Sequence, residues 1–193
     1  MTDLLPLLGF VFIGLFSPGP NVIMLTASGA QFGFWRTVPH ILGVAIGVGI
    51  TSGLTGLGIG ALLAAQPMLA NVLKVVASLW ILWMAYTLWH RQPAKVEDGD
   101  RPFTLIEAVL FQWVNPKVWA VAFSATAYVA ASPPITQAVT LAATFSTLNL
   151  GVCLFWASAG SLLAYLLTNP SIWRLFMRVM ALALAVFSLM VFL

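Results

Sequence analysis

The chain has 193 residues, of which 61% are hydrophobic and only 7% charged, with a formal net charge of +3. A mean hydropathy of +1.02 cannot be hidden inside a soluble core of this size, so lipid is the expected solvent and a soluble globular domain is excluded. Eight Lys/Arg against five acidic residues is too thin a surplus for a nucleic-acid patch, and the basic pI reads as a topology signal instead.

Charges are absent from Leu4 to Trp35, from Thr37 to Leu73 and from Val118 to Trp173. Each run equals or exceeds the roughly 20 apolar residues that span a bilayer. No alternating ten-residue strands of a barrel are visible, and backbone groups find no water in hydrocarbon, so the spans are expected to be helices. Turn signals and charges divide the chain into six segments, about 4–32, 40–64, 72–90, 103–132, 136–167 and 175–193, each boundary being good to a few residues.

The first segment carries no basic n-region and no small-residue cleavage site after Asp3, so it is expected to be an anchored helix rather than a removed signal. It is interrupted by Ser17-Pro18-Gly19-Pro20-Asn21. The second carries Gly43, Gly47, Gly53, Gly56, Gly58 and Gly60, a small-residue face suited to close helix packing. Trp80, Trp83 and Trp89 of the third segment, like Trp113 and Trp119 of the fourth, read as interface anchors or packing. The fourth segment holds Glu107 and Gln112 ahead of a second interruption, Asn115-Pro116-Lys117. The fifth holds Asn149 and the sole cysteine, Cys153, so neither a disulfide nor a metal cluster is expected. Asn21, Gln31, His40 and Asn149 are of the kind that hydrogen-bond between helices.

Basic residues follow segment 1 (Arg36), follow segment 3 (Arg91, Lys95, Arg101) and surround the start of segment 6 (Arg174, Arg178). The positive-inside rule therefore puts loops 1, 3 and 5 in the cytoplasm, with both termini on the outer face. The polar stretch from Arg91 to Pro102 divides a single transmembrane domain, 1–193, into halves of about 1–92 and 101–193, with three helices each. The second half then enters from the opposite side, so related halves form an inverted repeat. Ser17-Pro18 is answered by Asn115-Pro116, and Gly60-Ala61-Leu62-Leu63-Ala64 by Gly160-Ser161-Leu162-Leu163-Ala164. The expected architecture is all-α, polytopic, with broken helices 1 and 4.

A proline forces its predecessor out of the helical region and removes a donor, so each interruption should break its helix. Ser and Asn favour the N-cap and Pro the first helical position, so each motif reads as a helix restarting inside the membrane. The N-terminus of a helix carries unpaired N–H groups and about half a positive charge, which makes it an anion site. Lys117 costs about 2.5–3.5 kcal/mol at the bilayer centre, so something anionic should compensate it. Glu107 is the only carboxylate within an expected span; it is open to carrying a proton, pairing with Lys117, receiving an ammonium, or lying in a cytoplasmic lead-in.

At these residues the sequence resembles the LysE/RhtB family of bacterial amino-acid exporters, which carry an S/T-P-G-P motif in the first helix and an N-P-K motif opening the fourth. Ser17, Pro18, Gly19, Pro20 and Asn21 match the first motif, and Asn115, Pro116 and Lys117 the second, preceded by Phe111-Gln112-Trp113-Val114. The resemblance covers essentially the whole chain and is nearest to the branch exporting cysteine and O-acetylserine. It implies export of small neutral amino acids or derivatives across the bacterial inner membrane by alternating access, driven by the proton or ion gradient. Substrate would be bound by Ser17, Pro18, Gly19, Pro20, Asn21, Asn115, Pro116 and Lys117, with Glu107, Gln112 and Asn149 as coupling or secondary polar contacts.

Neither a metal nor a cofactor is expected. No H-E-x-x-H motif, no membrane aspartate pair and no Cys/His dyad is present, which argues against an intramembrane enzyme and against any catalytic residue. A channel or lipid-handling protein is the rival reading, separated by saturable, gradient-coupled flux. Small-residue faces serve internal packing and a homodimer alike.

Overall fold

The computed structural model describes residues 4–59, 65–90, 100–166 and 169–190, and every regular element among them is helical. The helices are α1 (Leu4–Phe16), α2 (Pro20–Phe32), α3 (Phe34–Gly56), α4 (Pro67–Trp89), α5 (Leu105–Val114), α6 (Pro116–Ala125), α7 (Pro134–Leu166) and α8 (Pro170–Met190). A single 3₁₀ turn, Thr126–Tyr128, follows α6. Among the described residues α3, α7 and α8 are each long and apolar enough to cross a membrane. The pair α1 and α2, bent by 57° at the break between them, meets the same test when taken together, as a broken span or a re-entrant loop.

Prolines set most of the helix starts. Pro20, Pro67, Pro116, Pro134 and Pro170 each open a helix, because the ring presets the helical φ and the missing N–H is one the first turn does not use. The expected third, fifth and sixth segments therefore start too late, at 72, 136 and 175: their prolines lie inside the helix rather than in the turn before it. The second segment is corrected in the same direction. Gly33 alone separates α2 from α3, at φ +80, a left-handed conformation that glycine adopts without steric cost, and α3 then runs from Phe34 through Pro39. The Gly60–Ala64 half of the internal echo, Asp3, and the basic Arg91 and Lys95 lie outside the described residues.

Glycines let three helix pairs, α3 with α7, α3 with α5 and α2 with α7, approach at backbone distance. On one face of α3, a Cβ at Gly49 would fall 3.0 Å from the Ser146 Cβ, one at Gly53 3.2 Å from the Ala142 Cβ, and one at Gly56 2.8 Å from the Ala138 Cα. As the number rises on α3 it falls on α7, so the two run antiparallel. On another face, Gly43 and Gly47 meet α5, where a Cβ at Gly47 would fall 2.9 Å from the Val109 Cα. Gly29 of α2 and Gly160 of α7 are reciprocal: a methyl on the first would strike the Ala157 carbonyl, and one on the second the Thr26 carbonyl. In lipid such packing replaces the hydrophobic drive between helices.

The buried side chains fall into two clusters. Leu7, Val11, Val44, Val48, Leu141 and Phe145 join α1, α3 and α7. Ile81, Met84, Phe111, Met177 and Leu184 join α4 and α8 to α5. Between α4 and α8, Ser78 Oγ donates to the Ser188 carbonyl at 3.2 Å and Ser188 Oγ to the Ser78 carbonyl at 3.1 Å.

Candidate functional site

The second interruption restarts a helix as its sequence suggests. Asn115 is extended (φ −82, ψ 102) and caps α6, its side-chain oxygen accepting from the Lys117 backbone N–H at 3.2 Å. The first interruption differs in detail. The N-cap of α2 is Gly19, in fully extended backbone, and no side chain caps it. Ser17 Oγ instead donates back to the Gly14 carbonyl at 2.9 Å. The restart therefore falls at Pro20 rather than Pro18, because two prolines so close together leave Ser17 to Gly19 with no continuous helical register.

The two breaks meet. Lys117 Nζ donates to the Ser17 carbonyl, and lies 3.4 Å from the Pro18 carbonyl. These carbonyls follow the last turn of α1, the end that carries the negative pole of the helix dipole, so the lysine expected to need an anion finds backbone oxygens. Gly19 makes the room: a Cβ there would fall 2.7 Å from Lys117 Cδ.

A second link runs between the breaks through amides. Asn21 Nδ2 donates to Gln112 Oε1 at 2.8 Å, and Gln112 Nε2 donates to Asn21 Oδ1 at 3.2 Å. Gln112 Nε2 also donates to the Ala108 carbonyl at 2.9 Å, and Asn115 Nδ2 to Gln112 Oε1 at 3.4 Å. Gln112 and Asn115 are buried, so these bonds are worth more than on a wet surface.

The first turns of α2 and α6 border one cavity of about 20 Å³, through Gly19, Asn21 and Val22 on one side and Asn115, Lys117 and Val118 on the other. That volume suits one water molecule. Asn149 and Cys153 of α7 complete the wall. Asn149 is only 2% exposed, and its Nδ2 has no hydrogen-bond partner. A buried amide left unpaired costs about 1–3 kcal/mol, and the adjoining cavity is where an acceptor would reach it.

Glu107 lies apart from this cluster. It closes a capping box with Thr104 at the start of α5 and accepts from Arg101 at 2.6 and 2.7 Å. The carboxylate is thus engaged with Arg101 and not with Lys117. Together with His40, Glu107 and Arg101 border a larger cavity of about 280 Å³ among α2, α3 and α4. Arg101 reads in the sequence only as a topology charge; nothing in the residue pattern places its guanidinium on a cavity wall, since that depends on how the 100–104 segment folds back.

A family model described as the LysE type translocator matches residues 12–193. The chain belongs to the LysE type translocator family. Its members are translocators rather than enzymes, and the chain is a membrane protein of this family. Among curated proteins it is similar to an uncharacterised membrane protein of Pseudomonas aeruginosa, 32% identical over 122 residues, covering 57% of this chain and 55% of that protein. It is also similar to leucine efflux proteins of Enterobacter sp. and Klebsiella pneumoniae. Each is 26% identical, covering 52% of this chain and 50% of that protein in the first case, and 58% and 55% in the second. The chain spans about half the length of the curated relatives it matches. No solved structure matches.

Proposed function

We propose that this translocator exports neutral amino acids across the bacterial inner membrane by alternating access, coupled to the proton or ion gradient. The observation that carries the reading is the meeting of the two helix breaks around Lys117 and the unpaired amide of Asn149. A substrate carboxylate would displace the Ser17 and Pro18 carbonyls from Lys117 and accept from Asn149 and the uncapped first-turn N–H groups of α2. Ser17, Pro18, Gly19, Pro20, Asn21, Asn115, Pro116 and Lys117 then form the substrate cradle, with Gln112 and Asn149 as supporting polar contacts. Glu107, being bound to Arg101, is better placed on the cytoplasmic approach than in the cradle.

The chain is read as six spans in two inverted halves, about 1–92 and 101–193, forming one transmembrane domain with both termini outside. Support comes from α1 and α2 together being long and apolar enough for one broken span, from α5 and α6 flanking the second break, and from the antiparallel contact of α3 with α7. The central cavity holds a single water's volume, which suits an occluded carrier better than an open channel.

Relatives named leucine efflux proteins put leucine and its aliphatic neighbours first in a panel that also contains cysteine, O-acetylserine and threonine. The test is efflux from preloaded cells, with and without a protonophore. Selective efflux that collapses with the gradient is expected; no efflux across the panel would overturn the reading.

A further inference from the structure

Two cavities line up along the broken helices. On α2, Asn21 borders the small one, and Met24, Ala27 and Ser28 the large one. On α5, Asn115 just beyond the helix borders the small one and Glu107 the large one, with Gln112 between them. The Asn21–Gln112 amide pair therefore sits between the two spaces. The larger space, about 280 Å³, approaches the size of ordinary ligand pockets, while the smaller has no room for an amino acid.

The chemistry of the larger cavity is specific. Arg101 and Glu107 pair at its wall yet remain 54% and 40% exposed, so each keeps an open side. Glu107 occupies two of the five N–H donors of the guanidinium and the Pro102 carbonyl takes a longer contact, which leaves donors for a second carboxylate. An ammonium can in turn join Glu107. Beside the pair lies an apolar space of about 400 Å³ between Trp80, Trp83 and Phe103, also bordered by Glu107. His40, 2% exposed and with its ring tilted 38° to that of Phe103 at 5.1 Å, has no partner for Nδ1.

We infer that this vestibule is a second substrate site, a capture site that takes a zwitterionic amino acid with a bulky apolar side chain before the Asn21–Gln112 pair opens. The carboxylate lies on Arg101, the ammonium on Glu107, and the side chain between Trp83 and Phe103. The inference rests on the exporter reading, and supplies what the central cradle lacks, namely a surface that selects the side chain.

The test uses the full chain in lipid nanodiscs with radiolabelled leucine as the probe. Lys117→Met, which removes the central cation, is expected to retain saturable leucine binding. Adding Arg101→Gln should weaken that binding at least about tenfold, the scale of one lost charge-assisted hydrogen bond. Glycine, lacking the side chain, should compete far more weakly than leucine. A second measurement keeps Lys117: in a Cys153→Ser, Thr87→Cys chain, whose new thiol lines the vestibule, leucine should slow labelling by a charged thiol reagent. Neither 4-methylpentanoate, which lacks the ammonium, nor leucine added to the Arg101→Gln version should protect. No binding to Lys117→Met and no protection at Thr87→Cys, while the wild type still exports leucine, overturns the vestibule and leaves the exporter standing. A wild type that neither binds leucine nor exports any amino acid of the panel overturns both.

Discussion

Lys117 Nζ and the Ser17 carbonyl, a hundred residues apart in sequence, are hydrogen-bonded across the junction of two broken helices. The bond places a cation at the start of α6 against the carbonyl end of α1, so each half of the molecule supplies what the other half's break leaves unsatisfied. In the proposed cradle a substrate carboxylate and the Ser17 carbonyl compete for the same ammonium.

Lys117→Met should reduce efflux to background while membrane insertion and yield stay normal, because methionine fills the space without a donor. Losing a charge-assisted hydrogen bond of about 1.5–3 kcal/mol corresponds to roughly tenfold or more in affinity. Normal efflux by this variant in preloaded cells would remove the anion cradle from consideration.

Asn149→Leu should leave thermal stability unchanged or slightly raised, since it deletes an unpaired buried donor costing about 1–3 kcal/mol. Efflux should nevertheless fall by about tenfold or more. Melting curves in detergent and efflux on the same preparations check both parts; lost stability with retained specific activity would make Asn149 a packing residue.

Asn21→Ala and Gln112→Ala should be strongly non-additive. Two amides that exchange reciprocal hydrogen bonds are expected to show a coupling energy of about 0.5–3 kcal/mol in a double-mutant cycle on thermal stability. Additive effects would mean that the pair does not act as one latch.

Gly160→Ala should destabilise by about 1–3 kcal/mol or more, because the added methyl meets a backbone carbonyl that has no rotamer to yield. Gly151→Ala is the control: nothing lies within 4 Å of the place its added methyl would occupy, and a helical Gly→Ala change there should be neutral or stabilising by about 0.5–1 kcal/mol. Melting temperatures of the two variants give the comparison.

Much of this arrangement is legible in the sequence because hydropathy and proline act locally. The apolar runs announce membrane helices, and Pro18, Pro20 and Pro116 announce breaks whose chemistry does not depend on the rest of the chain. What the pattern misses is set by distant partners or by fine competition between neighbours. Ser17 is a good cap by type, yet its hydroxyl turns back to Gly14 once Pro20 takes over the restart. Glu107 is ambiguous in sequence, open to carrying a proton, pairing with Lys117, receiving an ammonium or lying in a cytoplasmic lead-in; the Thr104 capping box fixes its direction, and its carboxylate pairs with Arg101 instead of Lys117. The family resemblance drawn from the two proline motifs agrees with the family-model match over residues 12–193.

The reciprocal bonds between Ser78 and Ser188 bear on biogenesis. Ser78 on α4 is synthesised long before Ser188, so until α8 arrives its hydroxyl and the α4 face around it wait without their partner. The seam is therefore closed only once α8 is in place, and a nascent chain stalled before α8 presents membrane quality-control proteases with an unfinished seam.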